Sequence, residues 1–115
     1  VALKISTHET DGATVLALDG RIILGEETNS LREKVKALLA GGKKKIVLNM
    51  ERATQLDSVG LGTLVGLQAS AKAQGASVHL SNLGPRLKEI LQVTKLLTVF
   101  EVFGTEAEAV RSFSK

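Results

Sequence analysis

Ser58 has the neighbours that most invite a chemical reading. It lies in "QLDSVGLGTLVGL" (Gln55–Leu67), directly after Asp57 and before Gly60, Gly62 and an apolar run. Such a serine can serve as a nucleophile, a phosphate ligand, a helix cap, or the acceptor of a phosphate. A nucleophile elbow needs Gly-x-Ser-x-Gly, because the first glycine relieves crowding in a strained turn. Leu56 occupies that position. A serine nucleophile also needs a base. The two histidines, His8 and His79, lie in strand-like segments, and nothing in the sequence brings them to Ser58. A dinucleotide fingerprint needs a third Gly or Ala three residues after the second glycine. Val65 stands there, Gly66 comes one residue late, and the Lys-Ser/Thr ending of a phosphate-binding loop is absent. "HETD" (His8–Asp11) offers metal-ligating types, but neighbours on a strand alternate faces and cannot converge on one ion. A structural role remains: Asp57 or Ser58 is suited to cap a helix, since its oxygen can accept from free N–H groups at the helix start. Gly60 and Gly62 would then permit close packing and leave that helix start approachable.

The elements that must position this turn follow from periodicity. "ALKIST" and "ATVLALDG" read as strands joined at Asp11-Gly12, an N-terminal hairpin. A helix is expected from about Gly25 to Ala40, with Leu31, Val35, Leu38 and Leu39 as its apolar stripe. Glu26 and Glu27 favour its start, and Gly41-Gly42 ends it. "KIVLNM" (Lys45–Met50) is a short apolar run, expected as a strand buried on both faces and followed by a loop. Ser58–Gln74 is helical in pattern, with Leu61, Leu64, Val65, Gln68 and Ala71 on one face and Gly75 as its stop. "SVHLSN" is the next strand, and Pro85 opens a short helix carrying Leu87, Ile90 and Leu91. "TVFEVF" reads as an edge strand. Thr105 and Glu108 form a capping box for a last helix with Ala109, Val110 and Phe113. The order β-β-α-β-α-β-α-β-α predicts an α/β fold: one mixed sheet with an N-terminal hairpin and about four helices.

Composition narrows the function. The 115 residues suit a single domain over residues 1–115, and 43% hydrophobic content supports a core. There is no cysteine, which removes disulfides, thiolate metal sites and cysteine nucleophiles. The net charge is +3, and three of the lysines are Lys43–Lys45 at a strand entry. With three Phe, no Tyr and no Trp, base stacking has little to work with, so no direct nucleic-acid partner is expected. No run approaches the roughly 18 apolar residues of a membrane span, and no secretory leader pattern is legible in "VALKISTHETDG". A cytoplasmic location, no membrane insertion, no metal and no cofactor are therefore expected. The lack of a base, a metal set or a second polar cluster near Ser58 argues against an enzyme.

"VLNMERATQLDSVGLGTLVGL" resembles the signature of the STAS domain, shared by sulphate transporters and bacterial anti-sigma factor antagonists. That signature is a strand ending in Asp or Asn, a loop, then Asp-Ser-(small)-Gly-Leu-Gly and an apolar helix. Asn49, Asp57, Ser58, Gly60, Leu61 and Gly62 match it, and "LDGRI" and "GASVHLSNLGPRLKEILQVTKL" fit on either side. The resemblance covers nearly the whole chain.

The resemblance implies an anti-sigma factor antagonist. In such proteins the unphosphorylated form binds an anti-sigma factor that is also a serine kinase, and so frees the sigma factor. Phosphorylation of the serine after the Asp ends the binding. Ser58 would be the phosphoacceptor, and Thr54, Asp57, Ser58, Val59, Gly60, Leu61 and Gly62 the partner-binding set. Two departures stand out. Many members carry an acidic residue after the "GR(L/I)" strand, where this chain has Ile22-Ile23-Leu24; and Val59 replaces a small or hydroxylated residue. Alternatives are a constitutive STAS scaffold subunit of a stressosome-like or transporter assembly, and a weak nucleotide-binding module at Ser58–Gly62; self-association as a homo-oligomer is a separate partner expectation.

Overall fold

Two residues set the first turn. Asp11 (φ 49°) and Gly12 (φ 81°) both take positive φ, the backbone that closes a two-residue hairpin whose twist matches its strands. The computed structural model describes residues 3–114. Strands β1 (Lys4–Thr10) and β2 (Ala13–Ile22) flank this turn and pair antiparallel. Helix α1 (Glu26–Ala40) crosses to β3 (Lys45–Leu56), α2 (Ser58–Ala73) to β4 (Ser77–Ser81), and α3 (Pro85–Val93) leads toward β5 (Val102–Phe103). Helix α4 (Glu106–Arg111) follows. The strands lie in the order β1-β2-β3-β4-β5, and every pair after the hairpin is parallel. The α/β mixed sheet with an N-terminal hairpin and four helices is thus the observed architecture.

Alternation along the strands divides the core between the two faces. Leu16, Leu18, Ile46, Leu48, Met50, Val78 and Leu80 pack in one cluster with Leu31, Val35 and Leu39 of α1, Leu64, Leu67 and Ala71 of α2, and Leu87 and Leu91 of α3. Ala13, Val15 and Val47 form a smaller cluster with Ala109 and Val110 of α4, flanked by Phe103 and Phe113. The run Ile46-Val47-Leu48 is buried on both sides for this reason. The buried amide of Gln68 ties α2 to its surroundings: Oε1 accepts from Val78 N at 2.9 Å, and Nε2 donates to Val99 O at 3.3 Å. The capping box Thr105–Glu108 is formed as its spacing predicts.

Two expectations need correction. Strand β3 does not end at Met50 but runs to Leu56, replacing the expected loop. Its second half is polar and mostly exposed, so hydrophobic pattern does not reveal it. Pairing with the end of β2 holds it extended, with Asp19 opposite Arg52, Gly20 opposite Ala53 and Ile22 opposite Leu56, across two register shifts. The "TVFEVF" strand shrinks to Val102–Phe103. Before it, Leu96–Thr98 forms a 3₁₀ turn and Phe100 turns into the core.

The C-terminal segment is locked onto the sheet by His79. The ring is buried, stacks on Phe113 with centroids 4.1 Å apart, and places Nδ1 2.8 Å from Ser112 Oγ. Ser112 Oγ itself donates to Ala109 O at 2.6 Å, so Nδ1 carries the hydrogen and donates to Ser112. Desolvation holds the His79 pKa below its usual value, against the nearby Glu101 carboxylate, which raises it. A histidine with a depressed folded-state pKa contributes stability above its unfolded pKa, and that contribution is lost as pH falls through the folded value. Thermal unfolding is therefore expected to show Tm falling as pH drops below about 6.5. His79→Gln should flatten that dependence; an unchanged slope would contradict the assignment.

Candidate functional site

Strands β2 and β3 are parallel neighbours, so the loop after β2 and the turn after β3 emerge at the same edge of the sheet. Asp57 joins them. Its backbone is extended (φ −98°, ψ −178°), which makes it the N-cap of α2 and settles the cap between Asp57 and Ser58. One carboxylate oxygen, Oδ1, accepts from Gly60 N at 2.7 Å. The other, Oδ2, accepts from Leu24 N at 2.9 Å, in the loop between β2 and α1. The Leu24 amide, then the Gly60 amide, hold the Asp57 pKa below the usual carboxylate value.

Asp57 therefore contributes stability above its unfolded pKa of about 3.9, lost as pH falls through its lower folded value. Asp57→Ala is expected to lower Tm at pH 7 and to speed hydrogen exchange at Leu24 and Gly60 together. The Tm difference from the parent protein should shrink as the pH is lowered below 4. Faster exchange at Gly60 alone would show that the carboxylate does not hold the Leu24 loop.

Ser58 is the first residue of α2 and is exposed, as is Val59 at 37%. Gly60 is buried: a β-carbon there would lie 2.8 Å from the Ile22 carbonyl carbon and closer still to its oxygen. The same Ile22 oxygen accepts from Asp57 N at 3.4 Å. The glycine thus lets the helix start close against the end of β2. Gly62 has no such neighbour within 4 Å, so only the first of the two glycines is required by packing. Leu61 is half-buried against the core.

The turn stands between two open grooves. One, of about 300 Å³, is lined by Thr54, Asp57, Arg86 and Ile90 among others; the second, of about 400 Å³, by Arg32, Lys36, Val59 and Gly62 among others. Arg32 reaches from α1 to α2, donating to Asn29 Oδ1 at 2.9 Å and Thr63 Oγ1 at 3.3 Å. The structure thus gathers Thr54, Asp57, Ser58, Val59 and Gly62 at one surface, while Gly60 and Leu61 support it from below.

Asn49 belongs to a different network. It lies within β3 rather than at its end, and its Nδ2 donates to Glu106 Oε1 at 2.9 Å, on the α4 side. The other Glu106 oxygen, Oε2, contacts His8 Nε2 at 2.8 Å. The histidines are accordingly engaged elsewhere, His8 with Glu106 and His79 with Ser112, and neither is hydrogen-bonded to Ser58. Among the described residues no group of three or more His, Cys, Asp or Glu is placed to hold a metal ion. No helix among them is long and apolar enough to cross a membrane.

Leu24 and Arg86 are the site residues that sequence reasoning missed. Leu24 registers there only as a missing acid, yet it is 69% exposed and held by Asp57. The signal available was strand order: once β2 and β3 are parallel neighbours, the residues just after β2 must face the turn after β3.

Several known proteins are similar to this chain in sequence or in fold. The anti-sigma-B factor antagonist of Bacillus subtilis is 33% identical over 72 residues, 63% of this chain and 65% of that protein. An anti-sigma factor antagonist from Mycobacterium paratuberculosis has the same fold, with a TM-score of 0.83 at 20% identity, covering 98% of this chain and 95% of that one. The Bacillus cell fate determinant SpoIIAA matches at 23% identity in both its phosphorylated form (TM-score 0.74; 96% of this chain, 99% of that one) and its unphosphorylated form (TM-score 0.71; 97% of each). The family model described as "STAS domain" matches residues 4–109, from β1 into α4 and including the whole Asp57–Gly62 turn. The chain belongs to the STAS domain family.

Proposed function

We propose that this chain is an anti-sigma factor antagonist, acting as one STAS domain over residues 1–115 and switched by phosphorylation of Ser58. The observation that carries this reading is an exposed hydroxyl on the first residue of α2, in a turn fixed by the Asp57 carboxylate. The unphosphorylated form binds an anti-sigma factor that is also a serine kinase, in the cytoplasm, and thereby frees the sigma factor. The chain acts as substrate and binding partner in this scheme, not as an enzyme. Ser58 Oγ attacks the γ-phosphorus of ATP held by the kinase, the bond to the β-phosphate oxygen breaks, ADP leaves, and the hydroxyl proton passes to a base of the kinase.

The turn can carry the product without refolding. A phosphate on the first residue of a helix meets free N–H groups and the positive end of the helix dipole, worth about 0.3–1 kcal/mol at an exposed site. SpoIIAA's two forms, both alike in fold to this chain, support a switch that leaves the fold in place. What changes is charge: about −1.5 to −2 is added beside Asp57. An interface fitted to a neutral hydroxyl would then bury an unpaired charge.

The test is incubation with the chain's cognate serine kinase and ATP, followed by intact mass and peptide mapping. One added phosphate on Ser58, and none on Ser58→Ala, is expected. No phosphate, or a phosphate mapped elsewhere with Ser58 unmodified, would overturn the reading.

A further inference from the structure

Three large apolar side chains are exposed among the described residues: Leu24, Val59 and Val93. Two of the three belong to the Ser58 turn and the loop tied to it: Val59 and Leu24. Leu24 is not loose; its amide is tied to Asp57 Oδ2, so the residue that caps α2 also presents this side chain. Val59 follows Ser58 directly and lines the second groove. An apolar side chain held in solvent by a fixed backbone gains nothing from its own fold, and burial against a partner recovers that area.

Charge describes the rest of the surface. Arg86 lines the groove beside Asp57, and Arg32 and Lys36 line the groove beside Val59. The one acid among the lining residues of either groove is Asp57, whose carboxylate accepts from Leu24 and Gly60. Glu26 and Glu27 lie nearby on the first turn of α1, with Glu27 4.0 Å from Arg21. The two grooves flanking the turn thus carry cationic side chains, Arg86 in one and Arg32 and Lys36 in the other, and the acids are Asp57 at the cap and Glu26 and Glu27 at the start of α1.

We infer that the partner face docking on Ser58 is an apolar socket for Leu24 and Val59 rimmed by acidic residues that meet Arg86 and Lys36. This rests on the proposed anti-sigma antagonist role and deepens it, by assigning the chemistry of the kinase surface. Complementary rim charges steer encounter and select partners, while the buried apolar contact slows dissociation. The inference also supplies a physical route for release. A phosphate on Ser58 adds about −1.5 to −2 of charge facing an acidic partner rim, so attraction turns to repulsion.

The experiment measures affinity and salt dependence for the cognate anti-sigma serine kinase, using Ser58→Ala as the parent so that phosphorylation cannot intervene. Leu24→Asp should weaken binding on the order of tenfold or more, since it puts an unpaired charge into an apolar contact. Arg86→Glu and Lys36→Glu should each slow association and reduce its salt dependence, and Arg86→Lys should retain both. Leu24, Arg86 and Lys36 have exposed side chains, and unchanged Tm and circular dichroism confirm that the variants fold. If the parent binds and Leu24→Asp and Arg86→Glu bind equally well, or more tightly, the inferred surface is wrong while the functional reading stands. If the parent does not bind the kinase, both fall together.

Discussion

Gly60→Ala is expected to destabilise the protein by about 2–3 kcal/mol, a large effect for one methyl group. Alanine normally favours a helix over glycine by about 1 kcal/mol, so helix propensity alone predicts the opposite sign. Packing decides. The added carbon would meet the backbone carbonyl of Ile22, which is part of the β2 ladder and cannot swing away as a side-chain tip would. Relief requires α2 to lift off the end of β2, stretching the Asp57 N to Ile22 O bond and the Asp57 contact to Leu24. In this size of domain the cost corresponds to a Tm lower by roughly 8–12 °C. Gly66→Ala supplies the contrast. Apart from its chain neighbours and the backbone of its own helix turns, nothing lies within 4 Å of its added carbon, so it should raise stability by about 0.5–1 kcal/mol. Chemical denaturation of both variants reads the two signs directly. Equal effects at positions 60 and 66 would show that α2 does not pack against Ile22 in this way.

Phosphorylation of Ser58 is expected to weaken kinase binding by about 2–5 kcal/mol, the usual cost of leaving a buried interfacial charge unpaired, or roughly 30- to several-thousand-fold in Kd. Ser58→Asp should lose part of this affinity, because one carboxylate carries less charge than a phosphate. Ser58→Ala should bind and resist modification. The fold should persist throughout, with amide chemical-shift changes confined to the start of α2 and the Leu24 loop. Shifts spread across the sheet and the α4 side would instead indicate a conformational switch. Calorimetry with the kinase, beside heteronuclear spectra of the phosphorylated chain, separates these outcomes.

Much of this architecture is legible from residues alone, for reasons that can be named. The Asp11-Gly12 turn, the Pro85 helix start and the Thr105–Glu108 capping box each depend on chemistry within a few residues. The apolar stripes of α1 and α2 repeat at helical spacing, and most of their members are buried. Features fixed by distant partners are another matter. Residues 51–56 look like a loop because they are polar, yet the ladder with Asp19–Ile22 makes them strand. Gly60 and Gly62 look equivalent in sequence and differ because only Gly60 meets Ile22. Asn49 matches the end of a motif strand, but the longer β3 carries it away from the turn and into contact with Glu106. Leu24 becomes part of the site only through a carboxylate 33 residues later in the chain.

The most direct measurement of the central claim is mass spectrometry of the chain purified from its native host, under conditions in which the sigma factor is active and inactive. A phosphate is expected on the peptide containing Ser58, with low occupancy when the sigma factor is free and high occupancy when it is held. Ser58 unmodified under both conditions, or an occupancy that does not follow sigma factor activity, would contradict it.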